Sequence, residues 1–319
     1  MKIIEKEQVR QLLTPEKCIA AMEEALMDLE TGKCDMPQRL ICKMPNGAAF
    51  GFMPAYVGDY FGAKVLTAYA ANMGTEYPSH IGYVMLFESE HCTVSAMVDA
   101  SSITEIRTGC VSAVATRLLA REDAHKLAII GAGAQARSHL AALRLVRDIT
   151  EVTVYDLFPA AAERYAKEME EKYSIPVKVV GSVAEAVADA DIICTLCPAK
   201  EPYLTRDMVK PGVHINAVGT FSPVTREVSS DLVAAARLYS DHTPATKKES
   251  GEYLIPLQEG LIAEDHIIGS VGELLLGRAE GRTSNQDITV FDALGLAVED
   301  IASAKMVHLE SLQPTNKCF

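Results

Sequence analysis

Leu127-Ala128-Ile129-Ile130-Gly131-Ala132-Gly133-Ala134-Gln135-Ala136 runs an apolar strand straight into a glycine-rich turn and on into a helix. In this G-x-G-x-x-A arrangement Gly131 permits the tight turn and Gly133 lets the backbone approach a pyrophosphate. Ala136 is small enough to keep the helix close to the sheet. The unpaired N–H groups of the helix start attract the anionic phosphates. The next strand, Val152-Thr153-Val154-Tyr155, ends in Asp156, twenty residues past Ala136. An acid there accepts hydrogen bonds from the adenosine ribose hydroxyls of a bound dinucleotide. A 2′-phosphate ~4 Å from that carboxylate would meet a repulsion of a few kcal/mol. No arginine follows at once, since the next residues are Leu157, Phe158 and Pro159. NAD(H) is therefore expected in preference to NADP(H).

Strands and helices alternate around this unit. Strands are predicted at 127–130, 152–155, 177–180, 192–196, 213–218 and 238–241. Helices are predicted at 136–146, 160–173 and 182–188, the last opened by the capping-box pattern Ser182-x-x-Glu185. Such alternation predicts a doubly wound parallel sheet. The N-terminal third has another texture. Thr14-Pro15 reads as an N-cap followed by proline at the first helical position. Ile19, Met22, Leu26 and Leu29 recur at helical spacing until Gly32. Short apolar segments at 63–66 and 83–87, separated by turn residues, predict an antiparallel or mixed sheet, and a helix is predicted at 108–119. The texture changes near Arg121-Glu122-Asp123 and turns helical again after Asp292, while 278–287 reads as a polar surface loop. The fold class is thus α/β: a Rossmann-type doubly wound domain over 122–295, and a smaller α+β domain over 1–121 completed by 296–319.

Composition narrows the function. The 319 residues are 49% hydrophobic and 23% charged, enough for a sizeable core. Thirty Lys+Arg against 43 Asp+Glu give a formal charge of −13, which disfavours nucleic acid and anionic membranes as partners. No apolar run approaches the ~20 residues of a membrane span. Met1-Lys2-Ile3-Ile4-Glu5-Lys6 shows no secretory signal, so a cytoplasmic location is expected. Cysteines stand at 18, 34, 42, 92, 110, 194, 197 and 318 and are expected as reduced thiols. Cys194-x-x-Cys197 lies in an apolar strand end without a second such pair, so it reads as packing, and no metal site is expected.

Longer segments carry a family resemblance. They include Met36-Pro37-Gln38-Arg39, Gly62-Ala63-Lys64-Val65, Tyr77-Pro78-Ser79-His80, Ile103-Thr104-Glu105-Ile106-Arg107-Thr108, Glu249-Ser250-Gly251-Glu252 and Gly295-Leu296-Ala297-Val298-Glu299-Asp300. With the fingerprint and the stretch from Val209 to Gly219, the chain resembles the ornithine cyclodeaminase/mu-crystallin family, which includes ketimine reductases and archaeal-type alanine dehydrogenases. The resemblance implies that Arg39, Lys64 and Arg107 hold a substrate α-carboxylate. A bidentate guanidinium suits that group, and a lysine adds a mobile charge and a proton. It also implies cofactor contacts at Gly131, Gly133, Ala134, Gln135, Asp156, Thr195, Val218 and Gly219, with weaker matches at Ser79, Thr108 and Ala293. His80 is a further candidate, weighed against an ordinary surface imidazole. The smaller domain would bind substrate and build a homodimer.

One departure bears on the reaction. Ornithine cyclodeaminases place an aspartate two residues past the glycine matching Gly219, and here that position is Phe221. A phenyl ring can neither accept a proton nor pair with a distal ammonium. The expected function is accordingly an NAD(H)-dependent oxidoreductase on the C–N bond of an imino or amino acid, such as a ketimine or pyrroline-2-carboxylate, with Lys64 as catalytic proton donor. The alternatives are a cyclodeaminase using bound NAD and a non-catalytic small-ligand-binding protein of mu-crystallin type.

Overall fold

The computed structural model describes residues 1–72, 75–77 and 80–313. The chain divides into two compact units, Met1–Arg107 with Leu296–Phe319, and Thr108–Gly295. The division falls inside a helix, Ala100–Leu119, rather than after it. That helix starts eight residues ahead of the predicted 108. Asp99 accounts for the earlier start, because its carboxylate accepts from Ser102 N at 2.7 Å, an N-cap bond three residues on.

In the first unit, seven strands are described. The central order is Val94–Asp99, His80–Glu88, Tyr60–Ala68, Ala49–Val57, all antiparallel. Lys2–Ile4 adds in parallel at one edge, and Cys34–Asp35 and Leu40–Lys43 pair with Ala49–Val57 at the other. The two segments predicted at 63–66 and 83–87 are cores of these longer strands. The period of two along Ala49–Val57 sends Gly51, Met53, Ala55 and Val57 to the buried face and Phe50, Phe52 and Tyr56 to the exposed one. The buried face lies under the Ala297–Leu312 helix, which also packs on Pro15–Glu30. Pro15–Glu30 starts as its sequence asks, with the Thr14 hydroxyl accepting from Lys17 N.

In the second unit, eight parallel strands are described. They run in the order Val177–Val179, Glu151–Tyr155, Lys126–Ile130, Ile192–Thr195, His214–Ala217, Thr289–Asp292, Arg237–Ser240, Ile267–Ser270. The order reverses between Lys126–Ile130 and Ile192–Thr195, which is where such sheets open a crevice for ligands. The six predicted strands are present. Thr289–Asp292 and Ile267–Ser270 were not predicted, and the former inserts between His214–Ala217 and Arg237–Ser240. Both are four residues long, no shorter than the predicted Ile192–Thr195 and His214–Ala217, and Ile288-Thr289-Val290-Phe291 is a β-branched and aromatic run that the sequence reading passed over. Ser182 caps Val183–Val187 by accepting from Glu185 N, but the Glu185 carboxylate returns to Gly181 N, so the predicted box closes one residue early. Among the described residues no helix is long and apolar enough to cross a membrane.

Candidate active site

The fingerprint turn has the geometry that a dinucleotide needs. Gly131 adopts φ +101, a conformation that disfavours side chains, and a Cβ there would lie 2.7 Å from Cys197 Sγ. A Cβ on Gly133 would project into open space. The Ala134–Leu143 helix follows with Gly133 as N-cap and no side-chain cap, so the positive end of its dipole opens on the turn where a ligand anion would lie. Asp156 lies beside this turn. Its Oδ2 accepts from Ala132 N at 2.7 Å and its Oδ1 from Phe158 N at 2.8 Å. Each oxygen keeps a second acceptor direction for a ribose hydroxyl. Arg137, which the sequence reading passed over, donates to the carbonyls of Ala132 and Gly133 and pairs with Glu168 at 2.6 Å. Its guanidinium is thereby engaged with the turn itself. The residues present fit a dinucleotide.

Thr195 and Gly219 stand at the same end of the sheet, at the ends of the next two strands. Thr195 lies opposite Ile130 and Ala217, and Val218 N donates to Thr195 O at 3.1 Å. Thr195 is fully buried, and its hydroxyl donates to Glu227 at 2.8 Å. Gly219 N donates to the same carboxylate at 2.6 Å. Burial raises the Glu227 pKa, against hydrogen bonds that lower it. Cys194 is buried in the strand and its thiol is pushed up to about 12, and that of Cys197 to about 11, chiefly by desolvation. Such thiols are poor nucleophiles, in keeping with a packing role.

The first unit holds a buried ionic group. Lys64 sits on the helix-covered face of Tyr60–Ala68, between Met53 and Val84 of the neighbouring strands, and is 3% exposed. Its Nζ lies 2.7 Å from Asp300 Oδ2 and 3.5 Å from Thr104 Oγ1. Arg107, also buried, donates to Glu299 at 2.8 Å and contacts Asp300 at 3.3 Å. Burial lowers the Lys64 pKa, the Asp300 carboxylate opposes this, and the charges of Arg107 and Arg39 lower it further. His80 feels the Lys64 charge too, which with desolvation lowers its pKa. Lys64 and Arg107 thus share two buried carboxylates, with the half-buried Arg39 close enough to act on Lys64 by its charge.

The family model for ornithine cyclodeaminase/mu-crystallin proteins matches residues 1–314. The chain belongs to this family. Ketimine reductase mu-crystallin of Mus musculus is 36% identical over 296 residues, 91% of this chain and 90% of the mouse protein. The solved structure of Thermococcus litoralis Delta(1)-pyrroline-2-carboxylate reductase, in complex with NADH and L-proline, matches with a TM-score of 0.95 and 34% identity over 98% of both chains. An archaeal alanine dehydrogenase dimer with bound NAD matches with a TM-score of 0.93 and 30% identity, over 98% of this chain and 96% of the other.

Within this ornithine cyclodeaminase/mu-crystallin chain, the structure brings Arg39, Lys64 and Arg107 within electrostatic reach of one another in the first unit. In the second it places Gly131, Gly133, Ala134, Gln135, Asp156, Thr195, Val218 and Gly219 along one end of the sheet. Thr108 and Ala293 are buried, and Ser79 lies outside the described residues. Phe221 is 59% exposed in the loop after Thr220. The burial of Arg107 is balanced within the chain, since Glu299 and Asp300 pair with it. Glu299, Asp300 and Glu227 were missed as site residues. Acids in the first turn of Ala297–Leu312 look like ordinary macrodipole partners in sequence, and nothing around Glu227 marks it as buried.

Proposed function

We propose that this chain is an NAD(H)-dependent oxidoreductase acting on the C–N bond of an imino or amino acid, reducing a ketimine carboxylate such as pyrroline-2-carboxylate. The observation that carries the reading is the presence, in one chain, of a fingerprint helix start beside Asp156 and of a buried group in which Lys64 and Arg107 meet Glu299 and Asp300. A substrate carboxylate would find charge-assisted donors there in the Arg107 fork and Lys64 Nζ. The reductase and dehydrogenase relatives, one holding NADH and L-proline, support the same chemistry.

When bound, the nicotinamide supplies a hydride to the imine carbon. Arg107 and Arg39 hold the carboxylate and so fix the orientation of the C=N bond, which removes entropy from the barrier. Lys64 Nζ delivers the proton to the imine nitrogen, and its lowered pKa makes it the better acid. Asp156 receives the ribose hydroxyls and repels a 2′-phosphate, while Arg137 is committed to the turn carbonyls and Glu168, so NADH is preferred over NADPH. The exposed face of the first unit's sheet, with Leu40, Phe50, Phe52 and Tyr56, takes a second copy of the chain.

A panel of cyclic imines, and of 2-oxo acids with ammonia or methylamine, followed at the NADH absorbance band, tests the reading. Net NADH consumption with a cyclic imine carboxylate is expected, and ornithine should be a very poor substrate because Phe221 offers no partner for its distal ammonium. Redox-neutral conversion of ornithine without imine reduction would overturn it.

A further inference from the structure

Glu227 is fully buried in the second unit, and its carboxylate is the meeting point of four donors. Oε1 accepts from Cys197 N at 2.7 Å and from the Tyr203 hydroxyl at 2.5 Å. Oε2 accepts from the Thr195 hydroxyl at 2.8 Å and from Gly219 N at 2.6 Å. Each oxygen thus takes one backbone N–H and one hydroxyl. Its own backbone is held in turn, with Glu227 N donating to Glu252 at 2.6 Å. The fit around it is tight. A Cβ on Gly219 would strike the Cys197 backbone and the Glu227 carboxylate, and one on Gly131 would meet Cys197 Sγ and Leu196 O. Leu196 and Cys197 are therefore wedged between the fingerprint turn and the Gly219 turn.

The strand order decides which part of a dinucleotide this wedge faces. Asp156, the adenosine-side acid, follows Glu151–Tyr155 on one side of Lys126–Ile130. The ends tied by Glu227 belong to Ile192–Thr195 and His214–Ala217 on the other side of the reversal. A dinucleotide with its pyrophosphate on the central turn lays its other half over those ends.

We propose that Glu227 is a positioning residue for the nicotinamide half of the dinucleotide, holding Thr195, Cys197 and Gly219 in the one backbone arrangement that receives it. This rests on the dinucleotide reading above and adds the residue that shapes the reactive half of that site. A glutamine cannot replace the acid. Its amide nitrogen must face one of the two backbone N–H groups, which, unlike a hydroxyl, cannot turn to accept.

NADH binding followed by its fluorescence, beside ADP-ribose binding by calorimetry, tests this on the full chain. Glu227→Gln should bind NADH about ten- to a hundredfold more weakly, the effect of one buried N–H left unpaired, with ADP-ribose binding unchanged. KM for NADH should rise with it. Tyr203→Phe removes one hydroxyl donor but keeps both backbone bonds, and should show a smaller loss in the same sense; it carries the test if Glu227→Gln does not fold. Folded variants that lose neither ligand, or lose both equally, overturn the inference. A wild-type chain that binds neither NADH nor ADP-ribose overturns the dinucleotide reading itself, and the inference with it.

Discussion

Asp156 accepts Ala132 N through one oxygen and Phe158 N through the other, so a single side chain shapes the turn and, in the proposed complex, presents negative charge to the ribose. Asp156→Ser keeps a short acceptor and removes the charge. The ratio of kcat/KM with NADH to that with NADPH should fall at least about tenfold, the scale of one nearby charge repulsion; a wild type equally fast with NADPH would remove Asp156 from cofactor choice. Arg107 poses a different problem, because it binds internal acids as well as any substrate. Arg107→Ala leaves Glu299 and Asp300 with one cation fewer and should cost stability, about 3–5 kcal/mol for breaking a buried pair. Arg107→Lys separates the roles, keeping the charge and losing the planar fork. It should fold, with kcat/KM on the best imine down at least about thirtyfold, while Arg164→Lys, on an exposed helix position, changes nothing. Near-native activity in folded Arg107→Lys would take the guanidinium out of the substrate site.

Thr289–Asp292 shows what an element adds to a residue. Strand pairing on both sides carries Asp292 into the interior, where burial pushes its carboxyl up to about 7, the Ser250 hydroxyl opposing and the Glu227 charge adding. Between the ordinary value of 3.8 and about 7, the folded chain holds a proton that the unfolded chain has lost. Stability from this group therefore falls as pH rises through that window and stays low above it. Asp292→Asn should be close to neutral at pH 4 and stabilise by about 2–4 kcal/mol at pH 8, read from urea midpoints; equal effects at both pH values would show that the carboxyl titrates normally. The same strand marks the limit of what the sequence makes legible. The fingerprint, its second strand and Asp156 are local signals and were readable, because turn, strand and helix each leave a pattern within a dozen residues. Thr289–Asp292 is legible as a β-branched and aromatic run, no shorter than His214–Ala217, yet leaves no local pattern for its place between His214–Ala217 and Arg237–Ser240. The acids of the site leave none either, since Asp300 meets Arg107 across 193 residues of sequence and Glu227 gathers donors from three separate segments. Lys64 was legible through the family resemblance, and a cation in an otherwise apolar strand is unusual enough to support it. Its partner was not.

At the scale of the whole molecule, the first unit's sheet has two faces with different fates. One is closed by Ala297–Leu312. An antiparallel sheet whose other face meets water is expected to be polar there, yet this one presents Phe50, Phe52 and Tyr56, with Phe61 and Phe87 stacked at 5.2 Å, and Leu40 on the adjoining edge strand. Monomers seldom expose contiguous apolar patches beyond a few hundred Å², and the related archaeal alanine dehydrogenase is a dimer. The chain should therefore run as a dimer in size exclusion with light scattering. Leu40→Glu combined with Phe52→Glu, a directly paired set on the exposed side, puts charge on the face without touching the buried side, so the variant should fold and run as a monomer. Its unfolding midpoint should be lower than that of the wild type and no longer depend on protein concentration. Wild-type protein that is monomeric across the concentration range would show that this face is covered by something other than a second copy.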